Sequence, residues 1–362
     1  MVNAPHAALE PHIERLVAAG EIGGRTVRIT AGGSVDCHEY PVPPLAPGQV
    51  RVRTTGSAIS PGTELTYLGP SAPNVYLHRT WDPALRVFLA GRAHVAHPIV
   101  FGYRATGTVV ESNAGITPGT RVYGRWRHTE YVALNVADAL AQRVPDGLSD
   151  DDALDLGQMA PIGVNAVAEA GAEHAGAPAV VYGAGPIGLM VAQVARASGA
   201  RDVTVVDRLA ERCAIAARLG LATVHAPPGE DAAATLKRRF GANGVPVAFE
   251  CSGSAAALHQ AIRTVRRRGT VIAVGFYQGE PSALRLGDEF HHNAVRLIPA
   301  QIGNIHPAWS LLRLRERAID LVGAGQLVLG GLPRVELPVE RAADGFAALR
   351  RPAETFQVVF RY

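Results

Sequence analysis

Residues 183–188 read Gly-Ala-Gly-Pro-Ile-Gly, directly after Tyr182, and an acidic residue, Asp207, follows Gly188 by 19 positions. Glycines at this spacing suit one kind of chemistry, the recognition of a pyrophosphate by backbone. Gly183 permits a tight turn, Gly185 lets phosphates approach the main chain, and Gly188 lets a helix pack close to a strand. A helix opening at Pro186 and Ile187 offers unpaired N–H groups and the positive end of its dipole to the phosphates. Asp207 is placed to accept hydrogen bonds from a ribose 2′-hydroxyl and to repel a 2′-phosphate, so NAD is expected ahead of NADP. Arg208, the next residue, softens that preference. Such a glycine turn means little alone; the elements around it decide the reading.

Those elements are visible as a pattern. The apolar run Ala179–Tyr182 precedes the glycines and helical spacing over Pro186–Ser198 follows them. Next come Val203–Val206, a helix over Ala210–Leu219, Ala248–Glu250, a helix over Ala255–Val265, and Thr270–Val274. This alternation implies a parallel sheet covered by helices on both faces. Upstream, Arg25–Thr30, Gln49–Thr54, Ala105–Glu111 and Thr129–Leu134 have strand character, with turns at Pro47-Gly48 and Pro118-Gly119. Asp150–Glu169 has helical spacing, with Ser149 as its N-cap and Pro161 as a break inside it. Val335–Leu337 and Phe356–Phe360 return to strand character. Residues 1–24 read as an extension with a short amphipathic helix over Leu9–Ala19.

Composition narrows the class. The 362 residues are 48% hydrophobic and 19% charged with a net charge of +3, which excludes a mainly disordered chain and implies about two domains. No apolar run is long enough for a transmembrane helix, so no membrane partner is expected. Met1–Gly20 carries Glu10 and Glu14 and lacks the apolar centre of a secretory signal, so a cytoplasmic protein is expected. Three cysteines, Cys37, Cys213 and Cys251, exclude a disulfide framework and a four-cysteine zinc site. Lys237 is the only lysine among 35 basic residues, which leaves almost no amine for Schiff-base chemistry. No long basic run points to nucleic acid.

Taken together, Pro47-Gly48-Gln49-Val50, the Pro118-Gly119-Thr120-Arg121-Val122 turn, the glycine fingerprint and Phe249-Glu250-Cys251-Ser252-Gly253 resemble the medium-chain dehydrogenase/reductase superfamily over about residues 25–362. The resemblance implies an α/β protein with a GroES-like β-rich catalytic domain at 25–150, completed by 320–362. A Rossmann doubly wound parallel-sheet domain is implied at 151–319. It also implies that Cys251 and Ser252 lie beside the adenosine, that Gly275-Phe276-Tyr277 runs beside the nicotinamide, and that the chain forms a homodimer or homotetramer.

Zinc members of this superfamily carry a Cys-Gly-Thr-Asp segment, a Gly-His-Glu segment and a third ligand further on. In Ile59-Ser60-Pro61-Gly62-Thr63-Glu64, Ser60 stands near the cysteine position, with one extra residue. In Gly102-Tyr103-Arg104, Tyr103 stands for the histidine and Arg104 for the glutamate, and Ala160 stands for the third ligand. Hydroxyl, phenol and methyl groups cannot replace thiolate, imidazole and carboxylate, and Arg104 makes the site electropositive, so no catalytic zinc is expected. The Ser-x-Gly-Thr-Glu and Gly-Tyr pattern is similar to that of bacteriochlorophyllide dehydrogenases.

Without a metal, a side chain must stabilise charge on the reacting oxygen and move its proton. The candidates implied are Ser60, Thr63, Glu64, Tyr103 and Arg104. Thr63 matches the family's hydroxyl relay to the cofactor ribose. A cation beside Tyr103 would lower its phenol pKa from about 10, making it the proton-transfer candidate; the alternative is that it fills the space of the metal. His128 and, in His291-His292-Asn293, His292 are further candidates, since imidazole can polarise an oxygen at neutral pH. In an extended segment only one of two adjacent histidines reaches a substrate.

The segment 78–128 holds Arg79, Arg86, Arg92, Arg104, Arg121, Arg125 and Arg127 against Asp82 and Glu111, which is either a solvated surface or a site for an anionic group. Trp81 and Trp126 are either core or platforms for a ring. With Asn165 added to the polar residues at the expected site, the expectation is a zinc-independent, NAD-dependent oxidoreductase. Its substrate is a small polar secondary alcohol or ketone: a sugar, cyclitol or nucleoside derivative. The alternatives are an NADPH-dependent quinone or enoyl reductase and a non-catalytic dinucleotide-binding protein.

Overall fold

The computed structural model describes residues 23–69, 71–278 and 281–362. The helix expected over Leu9–Ala19 lies outside them, as does all but Gly23 and Gly24 of the extension. The chain divides into two compact units, one of residues up to Gly157 with Pro333–Arg351 and Gln357–Tyr362, the other of Gln158–Leu332 with Pro352–Phe356. Among the described residues, no helix is long and apolar enough to cross a membrane.

The first unit is built on strands β1 (Gly23–Ile29), β2 (Val35–Pro41), β3 (Gln49–Ala58), β4 (Arg79–Asp82), β5 (Val87–Ala90), β6 (Ile99–Val100), β7 (Ala105–Ser112), β8 (Arg121–Gly124) and β9 (Tyr131–Asn135). β3 is central because both of its edges and both of its faces are used. It pairs antiparallel with β7 and with β9, and Val50 and Val52 are fully buried against Val109, Val122 and Trp126. Trp126 is therefore core, and its indole N–H donates to Thr54 Oγ1 at 3.0 Å. Trp81 lies on the β4–β5 hairpin, 5.0 Å from Phe88 between ring centroids.

The second unit contains β10 (Pro178–Tyr182), β11 (Asp202–Asp207), β12 (Ala222–His225), β13 (Val245–Glu250), β14 (Val265–Ala273) and β15 (Arg296–Pro299). All pair in parallel, in the order β12-β11-β10-β13-β14-β15. Helices cover both faces, so the strands read as unbroken apolar runs: Val180, Val181, Val205, Val247 and Phe249 are fully buried. The strand order reverses between β10 and β13, and open sheets of this type bind ligands outside the carboxyl ends of their strands at that point. The helices Ala232–Phe240 and Leu311–Gly323 were not foreseen; each has a side-chain cap, Asp231 and Ser310 respectively. The chain then returns through β16 (Val335–Pro338), a helix over Ala342–Leu349 and β17 (Val358–Arg361), and β17 pairs antiparallel with β3.

Two expectations are corrected. Asp150–Glu169 is two helices, Asp150–Ala153 and Met159–Glu169, and the break precedes Pro161. Pro161 sits in the first turn of the second helix, where a missing N–H is tolerated. The units divide after Gly157 and after Leu332, not after residues 150 and 319. Asp150 and Asp155 hold the intervening segment to the first unit, by Asp150 to Arg121 and Asp155 to Arg104. Past the helix Leu311–Gly323, Val328 N donates to Gln193 Oε1 at 2.9 Å, which keeps that segment in the second unit.

The Arg104–Asp155 pair is buried, with both side chains at most 2% exposed and an N···O distance of 2.6 Å. Asp155→Asn leaves that guanidinium without its counter-charge and should lower stability by about 3–5 kcal/mol in urea denaturation. The double variant Arg104→Met/Asp155→Leu should recover most of the loss; an Asp155→Asn protein as stable as the parent would show that the pair bears no load.

Candidate active site and cofactor cradle

In the second unit, β10 ends at Tyr182 and the chain turns at Gly183, whose φ is 96° and whose added Cβ would meet the Ser252 nitrogen at 3.0 Å. An added Cβ on Gly188 would fall 1.7 Å from the Gly183 carbonyl oxygen, so helix and strand can approach only with glycine there. Gly185 has nothing within 4 Å of such a carbon. Packing demands two of the glycines, and open space lies in front of the third. The helix Pro186–Ala197 starts here with Gly185 as a cap that supplies no side-chain acceptor. Its first N–H groups, from Ile187 and Gly188, are left for an anionic ligand.

Asp207 closes β11. Its Oδ2 accepts from Ala184 N at 2.7 Å and its Oδ1 from Leu209 N at 2.9 Å. The carboxylate thus braces the glycine turn, and each oxygen keeps a lone pair for a ribose hydroxyl. Arg208 beside it is exposed.

At the end of β13 the buried Glu250 organises a second loop. Its Oε1 accepts from Ser252 N at 2.8 Å and from the Ser252 hydroxyl, and its Oε2 from Gly253 N at 3.1 Å and from the Tyr277 phenol. Its carbonyl accepts from Val274 N and Gly275 N at 2.8 and 3.0 Å. One residue therefore ties Cys251-Ser252-Gly253 to Gly275-Phe276-Tyr277. Glu250 was not among the expected site residues; a carboxylate ending an otherwise apolar, wholly buried strand is the signal that marks it. Burial, reinforced by Glu250, pushes the Cys251 thiol well above its ordinary range, which makes it packing and no nucleophile. The expected cofactor residues thus gather at the carboxyl ends of β10, β11, β13 and β14, and they fit a dinucleotide.

In the first unit, Ser60, Thr63, Glu64, Tyr103 and His128 come together. Ser60 precedes a short helix, Pro61–Glu64, that folds Glu64 back so that its Oε1 accepts from Ser60 N at 2.9 Å. The Tyr103 phenol donates to Ser60 Oγ and also meets the Thr63 hydroxyl. Glu64 Oε2 lies 2.9 Å from His128 Nε2, and His128 Nδ1 lies 2.8 Å from Ser57 Oγ. Ser57 Oγ is in turn 2.8 Å from the Tyr362 hydroxyl. Glu64 and His128 are both fully buried. Ser57 and Tyr362 were missed in the sequence, since neither belongs to a motif.

Three expectations about these residues are corrected, and Asn165 is placed. Arg104 does not line the cluster: its Nε donates to Asp155 Oδ1 at 2.7 Å and its Nη1 to the Ile59 carbonyl at 2.9 Å. The Tyr103 phenol is consequently raised, not lowered; burial and then Glu64 raise it, against the smaller effects of Ser60, Thr63 and Arg104. His292 is on a helical turn, not an extended segment, is exposed, and bonds the Asp288 carbonyl of its own turn at 3.0 Å. Asn165 belongs to the second unit, where its Oδ1 accepts from His306 N at 3.0 Å.

This donor set does not fit zinc. The Ser60 and Tyr103 hydroxyls are hydrogen-bonded to each other. Glu64 and His128, which could ligate, spend their facing atoms on one another. Among the described residues, they gather no third His, Cys, Asp or Glu side chain.

The comparisons with known proteins agree with this architecture. A family model described as "Zinc-binding dehydrogenase" matches residues 186–314. D-guloside 3-dehydrogenase of Escherichia coli K12 is 29% identical over 304 residues, covering 80% of this chain and 85% of that protein. The crystal structure of 2R,3R-butanediol dehydrogenase from Bacillus subtilis aligns with a TM-score of 0.74 at 22% identity, covering 94% of this chain and 99% of that one. A putative zinc-binding dehydrogenase from Sinorhizobium meliloti 1021, bound to NADP, aligns with a TM-score of 0.71 at 21% identity, covering 94% and 100%. With the glycine cradle and the strand order, these likenesses agree on one point: in sequence and in fold the chain is similar to medium-chain, alcohol dehydrogenase-like dehydrogenases.

Proposed function

We propose that this enzyme interconverts a small polar secondary alcohol and its ketone with NAD, and that it does so without zinc. The observation that carries the reading is the Tyr103 phenol, held neutral by burial and by Glu64, joined to the hydroxyl of Ser60 and with Thr63 beside it. The nicotinamide ring supplies or accepts the hydride when bound.

The protein's own groups do the rest. In reduction, Tyr103 donates a hydrogen bond to the carbonyl oxygen and then its proton as negative charge develops there. In oxidation the proton runs the other way: the phenolate of Tyr103, its own proton having gone to solvent, takes the alcohol's proton directly or through Ser60 or Thr63. Glu64 fixes Ser60 through its backbone N–H, and His128, anchored by Ser57, fixes Glu64. Asp207 favours a free ribose 2′-hydroxyl, which supports NAD over NADP.

A polar substrate suits a site made of hydroxyls, and the dehydrogenases of D-guloside and of butanediol are relatives of that kind. A sugar, cyclitol or nucleoside derivative is the class we favour. Arg79, Arg86, Arg92, Arg125 and Arg127 are exposed and leave room for an anionic group, whereas Arg104 and Arg121 are spent on Asp155 and Asp150.

Four measurements test this reading. Tyr103→Phe should lower kcat by about 10²-fold or more while the cofactor dissociation constant changes little; normal turnover removes Tyr103 from proton transfer. Because the phenol is raised above its ordinary value, its acid form persists through neutrality, and the reduction rate should fall only above about pH 10. Asp207→Ala should weaken NAD binding and narrow the preference against NADP, read as the ratio of the two dissociation constants; an unchanged ratio removes Asp207 from that role. Finally, activity should survive exhaustive dialysis against a zinc chelator, whereas loss on chelation and recovery on adding zinc would overturn the metal-free mechanism.

A further inference from the structure

Within the second unit, the helix Ala255–Thr264 and the helical turn Leu286–Phe290 present a separate polar cluster to each other. One ligand nitrogen of His259 and one oxygen each of Asp288 and Glu289 lie within 4.8 Å of one another, the one such group of three among the described residues. His259 is 5% exposed, and its Nδ1 is buried without a hydrogen-bond partner. Glu289 Oε2 is also buried and unpartnered. Leaving such atoms unsatisfied costs stability, and two in one cluster point to a shared ligand.

The charges say which ligand. Arg263 donates to Glu289 Oε1 at 3.0 Å, but two of its other N–H groups go to Asp231, at 2.8 and 2.9 Å. Asp231 therefore balances it. A second arginine, Arg285, pairs with Asp288 at 3.0 Å and reaches His259 Nε2 at 3.3 Å, and Lys237 also faces Glu289. Its side chain is 68% exposed and can leave for solvent. Arg263, Arg285 and, at longer range, Lys237 counter these carboxylates in the metal-free protein, and Arg285 is the most exposed of them. An imidazole nitrogen with two carboxylate oxygens is a donor set for zinc and its neighbours in the first transition row.

We propose that His259, Asp288 and Glu289 form a binding site for one divalent ion of the zinc type, with Arg285 as the counter-ion that the metal displaces. Zinc bonds of about 2.0–2.1 Å to nitrogen and oxygen set donor atoms closer than the present spacing, so the two carboxylates rotate inward on binding. Water completes the coordination. The ion would clip the helix to the turn, and it uses no atom of the glycine cradle, of Glu250 or of the Tyr103 cluster.

The test is titration of metal-stripped protein with Zn²⁺, with Co²⁺ as a visible-absorption probe. One ion per chain is expected, together with a rise in melting temperature. His259→Gln and Asp288→Asn should each weaken binding by roughly 10-fold or more, and Arg285→Ala should tighten it. Asp288 and Arg285 are surface side chains, so their variants keep the test sharp even if His259→Gln folds poorly. Absence of stoichiometric binding, or binding that is unmoved in all three variants, overturns the site. An ion retained by these variants but lost in Glu64→Gln overturns both this site and the zinc-free reading of the first unit. An ion lost in Asp288→Asn and kept in Glu64→Gln leaves that reading standing.

Discussion

One buried carboxylate sets the geometry of the reactive cluster. Glu64 has no exposed surface, and both of its oxygens are engaged, one by the Ser60 backbone and one by His128. A charge in such a place is tolerable only when fully hydrogen-bonded, so its partners have little freedom. Ser60 is fixed in front of Tyr103, His128 is fixed against Ser57, and burial, with the nearby negative charge, keeps the phenol protonated. The rest of the first unit, with β3 at its centre, keeps these segments in register.

The second unit repeats the device for a different end. Glu250 ends a buried strand, where Glu64 ends a short helix, and it too spends both oxygens on nearby N–H and O–H groups. There it shapes two loops rather than the surroundings of a phenol. In both units a costly polar group is placed in the interior, where its hydrogen bonds hold irregular chain in one conformation. That is how segments without regular secondary structure acquire the rigidity a binding site needs.

The parts of this design that the sequence reveals are the local ones. The glycine turn and Asp207 were legible because each glycine answers to a contact within a few residues of the strand end. Tyr103 and Ser60 were legible because the resemblance marks their positions. Arg104 misled, since adjacent residues of extended chain point to opposite sides and its guanidinium went to Asp155. His128, Glu64 and Ser57 could be named or overlooked one at a time, but their connection could not be read. His128 is 64 residues from Glu64, and only the folded β register brings them together. The helices over Ala232–Phe240 and Leu311–Gly323 carry the same kind of signal, an apolar face at helical spacing (Ala232, Ala233 and Leu236; Leu314, Ala318 and Leu321) after a side-chain cap, and were overlooked because no motif drew attention to them.

The mutual bonding of Ser60, Tyr103, Glu64 and His128 also bears on how such a site can change. A cysteine introduced at Ser60 alone would still face a phenol, and Glu64 and His128 would still be locked together. No single replacement yields a metal site, and each partial one leaves a buried polar group stranded. Conversion between the hydroxyl and thiolate forms of this scaffold is therefore a collective event across several positions, which makes the present arrangement a local optimum that stepwise substitution does not readily leave.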